Sequence, residues 1–240
     1  MLLQSLLNQR IIIILIVQVW PIFYCSYFAY RLLRRKKSRS TLTLSSFFIL
    51  FALTDFLANL SIFFINTPIS YFLYILAIYF FFFGHSFFII FSWVLVKLDE
   101  KSPIWKFHLG ITLYGIISTY VFWIGIYFNG IRLDSSTNWI PNFSWLFLII
   151  SWVFLLTFLI IPQIYFSFKL LKVFEGVILK RRINMFIISV FLELGSVFSL
   201  FLYHVLVENQ IFRTFHMLVM PVVSTIAAFL IYKSFGKELD

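Results

Sequence analysis

Seven stretches of 18 to 26 residues, almost free of charge, recur along this 240-residue chain with only short polar breaks between them. A hydrocarbon layer about 30 Å thick is crossed by about 20 helical residues rising 1.5 Å each, and each stretch meets that length. They run 11–30, 44–65, 71–96, 109–128, 145–168, 185–207 and 215–232. Within lipid every backbone N–H and C=O must be satisfied inside the segment, which selects helices over irregular chain. The expected fold is therefore all-α, one seven-helix transmembrane bundle over 1–240, in a multi-pass protein of the cell membrane. Composition agrees, since 62% hydrophobic and 12% charged residues leave too little polar surface to cover a water-soluble globule. The first stretch follows Arg10 but is too long for a secretory signal and lacks a small-x-small cleavage site, so it is expected to remain as a span.

Positive charge orients the bundle. Six of the ten residues from Arg31 to Ser40 are Lys or Arg, and a short loop so charged is retained on the cytoplasmic side. With that loop inside, 16 Lys and Arg fall in inner segments and three, Arg10, Arg132 and Arg213, in outer ones. The N-terminus is thus expected outside and the C-terminus in the cytoplasm. The net charge of +10 is not a nucleic-acid footprint, because the basic residues flank apolar runs and meet lipid headgroups instead. Connections are short, the longest being 129–144 outside and 169–184 inside, leaving no room for an extramembrane domain. Trp139 and Trp145 on one side and Trp93 and Trp105 on the other suit an aromatic belt at headgroup depth.

Many chemistries are not expected. Cys25 is the single cysteine, so neither an intrachain disulfide nor a thiolate metal cluster can form. The chain has no H-E-x-x-H, no G-x-S-x-G and no P-loop, and span seven has no mid-helix lysine for a retinal Schiff base. No enzyme activity, cofactor or metal is expected. His204 and His216, at matching depth near the outer ends of spans six and seven, are read as interfacial side chains hydrogen-bonded to water rather than axial haem or metal ligands.

The informative residues are the ionisable ones at membrane depth. Asp55, His85 and Glu193 lie near the middle of spans two, three and six, within about one helical turn of a common depth. A carboxylate at the bilayer centre costs about 2.5–3.5 kcal/mol, so each is expected to face the interior, paired, hydrogen-bonded or protonated. Asn59 lies one turn beyond Asp55 on the same face, and Ser189 and Ser196 flank Glu193. Asp55, Asn59, His85 and Glu193 are the candidates for ligand binding or proton relay. Lys169, Lys172, Lys180, Arg181 and Arg182 form the candidate cytoplasmic coupling surface. Pro162 and Pro221 interrupt the hydrogen-bond ladders of spans five and seven, and Gly195 with Ser199 forms a small-xxx-small pair suited to close helix contact.

The stretches Leu113-Tyr-Gly-Ile-Ile117 and Phe168-Lys-Leu-Leu-Lys172, with Gly195 and Arg213, resemble archaeal seven-helix membrane proteins of sensor type, similar to the membrane modules of histidine kinases. The run Ser45-Ser-Phe-Phe-Ile-Leu-Phe-Ala-Leu-Thr-Asp55 is similar to span two of nematode-type serpentine chemoreceptors. The chain departs from the receptor pattern at Leu98-Asp-Glu100, where an arginine is expected, and in lacking N-P-x-x-Y in span seven. Both resemblances imply a receptor or sensor that binds an unidentified small ligand within the bundle and signals through inner loops to a cytoplasmic partner. A small proton-coupled carrier and a structural membrane subunit are the alternatives.

Overall fold

The computed structural model describes residues 19–35, 38–97, 104–137 and 139–235. Arg10, the start of the first span, Asp99-Glu100 and Lys237 lie outside the described residues. Helix α1 occupies 19–33. It is followed by α2 (Arg39–Phe63), α3 (Pro68–Val96), α4 (Ile104–Tyr127), α5 (Trp145–Val173), α6 (Val177–Val205) and α7 (Gln210–Phe235). The six helices from α2 to α7 are long and apolar enough to cross a membrane, and the molecule is accordingly a multi-pass membrane protein. All the described Lys and Arg except Arg132 and Arg213 gather at one end, the basic end; the other carries a two-residue β pair, Ile131–Arg132 against Asn142–Phe143, and is called the hairpin end. That hairpin is the one departure from an all-α chain among the described residues.

Helix starts follow local chemistry. The Ser38 hydroxyl accepts the Thr41 N–H at 3.1 Å, the Ser144 hydroxyl accepts the Phe147 N–H at 3.1 Å, and the Asn209 side-chain carbonyl accepts the Phe212 N–H at 3.0 Å. Each satisfies a donor that a first turn leaves orphaned. Pro68 opens α3, where its missing N–H costs nothing. In the hairpin turn Asp134 accepts from the Ser136 N–H, the Ser136 hydroxyl and the Thr137 N–H. These bonds favour the charged carboxylate and hold its pKa below the ordinary value.

Helix α3 is the most deeply buried and forms the axis of the bundle. Near the basic end Phe91 of α3 meets Phe186 of α6 and Phe235 of α7 at centroid distances of 5.3 and 5.6 Å. Toward the hairpin end Phe82 meets Phe154 of α5 at 5.1 Å and Phe201 of α6 at 5.5 Å. Helix α1 closes the ring between α2 and α7, with Phe28 stacked on Tyr232 at 4.5 Å and edge-on to Phe48 at 5.3 Å. Gly84 lets α2 approach, since a Cβ there would stand 3.2 Å from the Leu50 Cβ. By contrast α4 buries only Ser118, Val121 and Gly125.

Helix α5 is not a uniform spiral. Leu155–Ile160 forms a π turn immediately before Pro162. Its interior residues Leu155, Leu159, Gln163 and Ser167 recur every four positions, a spacing that drifts by about 120° over twelve residues in a regular α-helix. The wider π turn cancels most of that drift and keeps Gln163 inward, where the Ser92 hydroxyl of α3 donates to its side-chain oxygen at 3.1 Å. Pro162 has no N–H to give the Phe158 carbonyl four residues back. The Tyr114 hydroxyl of α4 donates to that carbonyl instead, at 3.0 Å.

The expected inner loop 169–184 is almost entirely helical. Lys169 and Lys172 lie in the last turns of α5, and Lys180, Arg181 and Arg182 in the first turns of α6, joined only by Phe174–Gly176. Lys and Arg are good helix formers once the chain leaves hydrocarbon, so both helices overrun their apolar runs. The same overrun extends α2 back to Arg39 and α7 from Gln210 to Phe235. Gly195 makes no close helix contact: it is exposed, and a Cβ there would meet nothing within 4 Å.

Candidate functional site

The interior polar site is assembled by five helices around Glu193. Glu193 of α6 is 2% exposed, and its Oε2 accepts from the Ser224 hydroxyl of α7 at 2.9 Å. Its Oε1 stands 3.9 Å from Nε2 of His85 on α3. Asp55 of α2 lies within electrostatic reach of Glu193, and Tyr24 and Cys25 of α1 lie within reach of both carboxyls. Asp55 is half-buried as a residue, but its Oδ2 is enclosed and has no hydrogen-bond partner.

His85 is held with its tautomer defined on one side. Nδ1 lies 2.7 Å from the Phe81 carbonyl; a carbonyl only accepts, so Nδ1 carries a hydrogen. Nε2 has no hydrogen-bond partner and faces Glu193. It is either a bare acceptor opposite a carboxyl group or the protonated end of an imidazolium opposite a carboxylate. Four phenylalanine rings, Phe47, Phe51, Phe81 and Phe88, surround the imidazole at centroid distances of 4.5 to 6.0 Å. Such rings exclude water and tolerate a cation at their faces.

The polar neighbours chosen from helical spacing behave differently. Ser189 and Ser196 donate to the carbonyls of Phe186 and Leu192 in their own helix, at 2.8 and 3.1 Å, not to Glu193. Asn59 donates from Nδ2 to the Asp55 backbone carbonyl at 2.8 Å, leaving its buried Oδ1 unpartnered. Ser224, Tyr24 and Cys25 join the site from positions that helical spacing around Asp55 and Glu193 does not single out. Ser224 carries a sequence signal, three residues after Pro221 at the depth of Glu193, whereas Tyr24 and Cys25 read as ordinary members of an apolar run.

A second polar group closes the hairpin end. His204 Nδ1 lies 3.1 Å from the Pro141 carbonyl and its Nε2 lies 3.4 Å from the Tyr74 hydroxyl, so both ring nitrogens are engaged within the protein. His216 Nδ1 lies 2.8 Å from the Ser199 hydroxyl, and its ring stacks on Tyr203 at 4.8 Å. Arg213 donates to the Tyr203 hydroxyl and the Val207 carbonyl at 3.0 and 3.1 Å. This is a clasp between α6, α7 and the hairpin. Among the described residues no group of three or more His, Cys, Asp or Glu is placed to hold a metal ion.

At the basic end Lys169, Lys172, Lys180 and Arg181 are exposed and Arg182 is half-buried. Lys169 Nζ sits 4.6 Å from the Tyr165 ring centroid. The five form two facing helix ends rather than a flexible loop.

No protein-family model, curated protein or solved structure matches this chain. The functional reading therefore rests on the interior site.

Proposed function

We propose that the protein is a receptor-like or sensor-like seven-helix membrane protein, with its N-terminus outside and its C-terminus in the cytoplasm, that binds a small ligand among Asp55, His85 and Glu193. The signal passes through the joined basic ends of α5 and α6 to a cytoplasmic partner. The described part of α1 supplies the seventh helix, and the distribution of Lys and Arg supports the orientation.

The observation that carries the reading is the open gap between His85 Nε2 and Glu193 Oε1. Both groups are buried, at 1% and 2% exposure, yet stand 3.9 Å apart. A polar link that served only to hold helices would close to about 2.8 Å. Leaving a buried nitrogen unpaired costs about 1–3 kcal/mol, a cost that a binding event between α3 and α6 can relieve. Because Glu193 leads directly along α6 to Lys180–Arg182, a change at the site has a rigid path to the basic end.

The chain of Asp55, Glu193 and His85 also suits a proton-coupled carrier, and one experiment separates the readings. Full-length protein carrying Cys25→Ser and Lys180→Cys, labelled with an environment-sensitive fluorophore, is placed in proteoliposomes and given an external pH step. A sensor changes the label's emission without sustained proton flux, and loses the change in Glu193→Gln. Sustained flux would establish the carrier, and silence in both channels would overturn the reading.

A further inference from the structure

We propose that the basic end is a docking surface for anionic phospholipid, gripped by cations that lie on exposed aromatic rings at the edge of the hydrocarbon. This surface is separate from the interior site and does not depend on what binds there. Four such pairs sit on three helices. On α1 the Arg31 guanidinium stands 6.0 Å from the Tyr27 ring centroid and that of Arg34 5.2 Å from Tyr30; on α4 the Lys106 ammonium is 5.7 Å from Trp105, and on α5 that of Lys169 is 4.6 Å from Tyr165. All four rings are more than half exposed, at 53–61%. Tyr27, Tyr30 and Tyr165 lie near the ends of apolar runs, and the cation four residues on folds back over each ring instead of reaching out to water. Exposed aromatic rings settle at headgroup depth, so a cation held over one is placed at the level of the lipid phosphates.

These cations keep N–H donors for an acceptor from outside. None of the four reaches a carboxylate of the described residues, and the one described carboxylate at this end is Glu175. Arg31 meets the Tyr232 hydroxyl of α7, which uses one of several guanidinium donors. Just beyond, the enclosed Nη1 of Arg35 has no hydrogen-bond partner. Arg31 and Arg34 are three positions apart on one side of α1, about 5–6 Å between Cβ atoms, a spacing at which two guanidiniums share one phosphate group. A guanidinium also matches phosphate oxygens in pairs. A zwitterionic headgroup brings its own cation to oppose these four, whereas an anionic one brings phosphate alone. Charge that served only to orient the bundle would need no ring beneath it. Lys172, Lys180 and Arg181 lie further from the apolar runs than Lys169 does and are left for a cytoplasmic partner.

The test equilibrates the full chain in detergent with equal amounts of phosphatidylglycerol and phosphatidylcholine of matched acyl chains, and counts retained lipid by native mass spectrometry. Phosphatidylglycerol is expected to outnumber phosphatidylcholine by about fivefold or more. Arg31→Gln, Arg34→Gln and Lys169→Gln together should bring the ratio below about twofold, while the charge-matched set Lys172→Gln, Lys180→Gln and Arg181→Gln should leave it at about fivefold or more. Equal retention of the two lipids by the unmodified protein overturns the proposal. So does a ratio that falls equally, or not at all, in the two triple variants, since charge acting at a distance makes no site. Displacement of phosphatidylglycerol by inorganic phosphate, but not by chloride at the same ionic strength, would assign the donors to a soluble anion and overturn it as well. The lipid ratio in the unmodified protein does not depend on either variant folding.

Discussion

At the scale of single residues, His85 separates structure from function most cleanly. Its ring already lies among four phenylalanines, and its Nε2 makes no hydrogen bond. His85→Phe is therefore expected to leave the melting temperature within about 2 °C, or to raise it, while the pH response of the Lys180 label disappears; a loss of several degrees would show that the imidazole is structural. Ser224→Ala should cost more, about 1–2 kcal/mol of stability by chemical denaturation, because it removes the hydrogen-bond donor that Glu193 has among the described residues. Outside the bundle, Asp134 stabilises the hairpin turn when ionised. Its pKa is lowered on folding, so this contribution is present above the ordinary aspartate range and is lost as pH falls through the folded-state value. Exchange protection of the Ser136 and Thr137 amides should persist through the ordinary aspartate range and fade only below it.

At the scale of elements, the interruption of α5 makes a double-mutant test possible. The Tyr114 hydroxyl replaces the N–H that Pro162 lacks, so Tyr114→Phe should destabilise by about 1 kcal/mol. In a Pro162→Ala background the restored N–H can reach the Phe158 carbonyl, and the same substitution should cost measurably less; additive effects would disprove the exchange. Bilayer thickness made the spans readable from hydrophobicity, since it dictates a run of about 20 apolar residues. It says nothing about where a helix stops once outside hydrocarbon, and Val177–Asn184 accordingly reads as loop although it is helical. The π turn in 155–160 left no mark because every residue in it is an ordinary span residue. Of the site, Glu193 and His85 stood out because charge at depth is costly. Tyr24 did not, because a tyrosine in an apolar run reveals nothing until its hydroxyl is placed.

At the scale of the whole molecule, topology is tested by single cysteines in a Cys25→Ser background. Ser136→Cys should label from outside intact cells and Lys180→Cys only after permeabilisation; the reverse pattern would invert the orientation and send the proposed signal the other way. The bundle is also unevenly braced, and this shapes how its sequence can drift. Helix α4 fully buries only Ser118, Val121 and Gly125, with Phe147 of α5 only 3.1 Å from where a Gly125 Cβ would stand. Its outward residues, among them Ile116, Tyr120 and Trp123, face away from the core. Substitutions there among apolar side chains change one oily surface for another and escape selection on folding, whereas a single methyl at Gly125 presses against a buried ring. In a saturation library, the outward positions of α4 should thus be nearly mute and Gly125 intolerant, while α3 should reject changes at its buried positions, which run almost unbroken from Phe81 to Leu95.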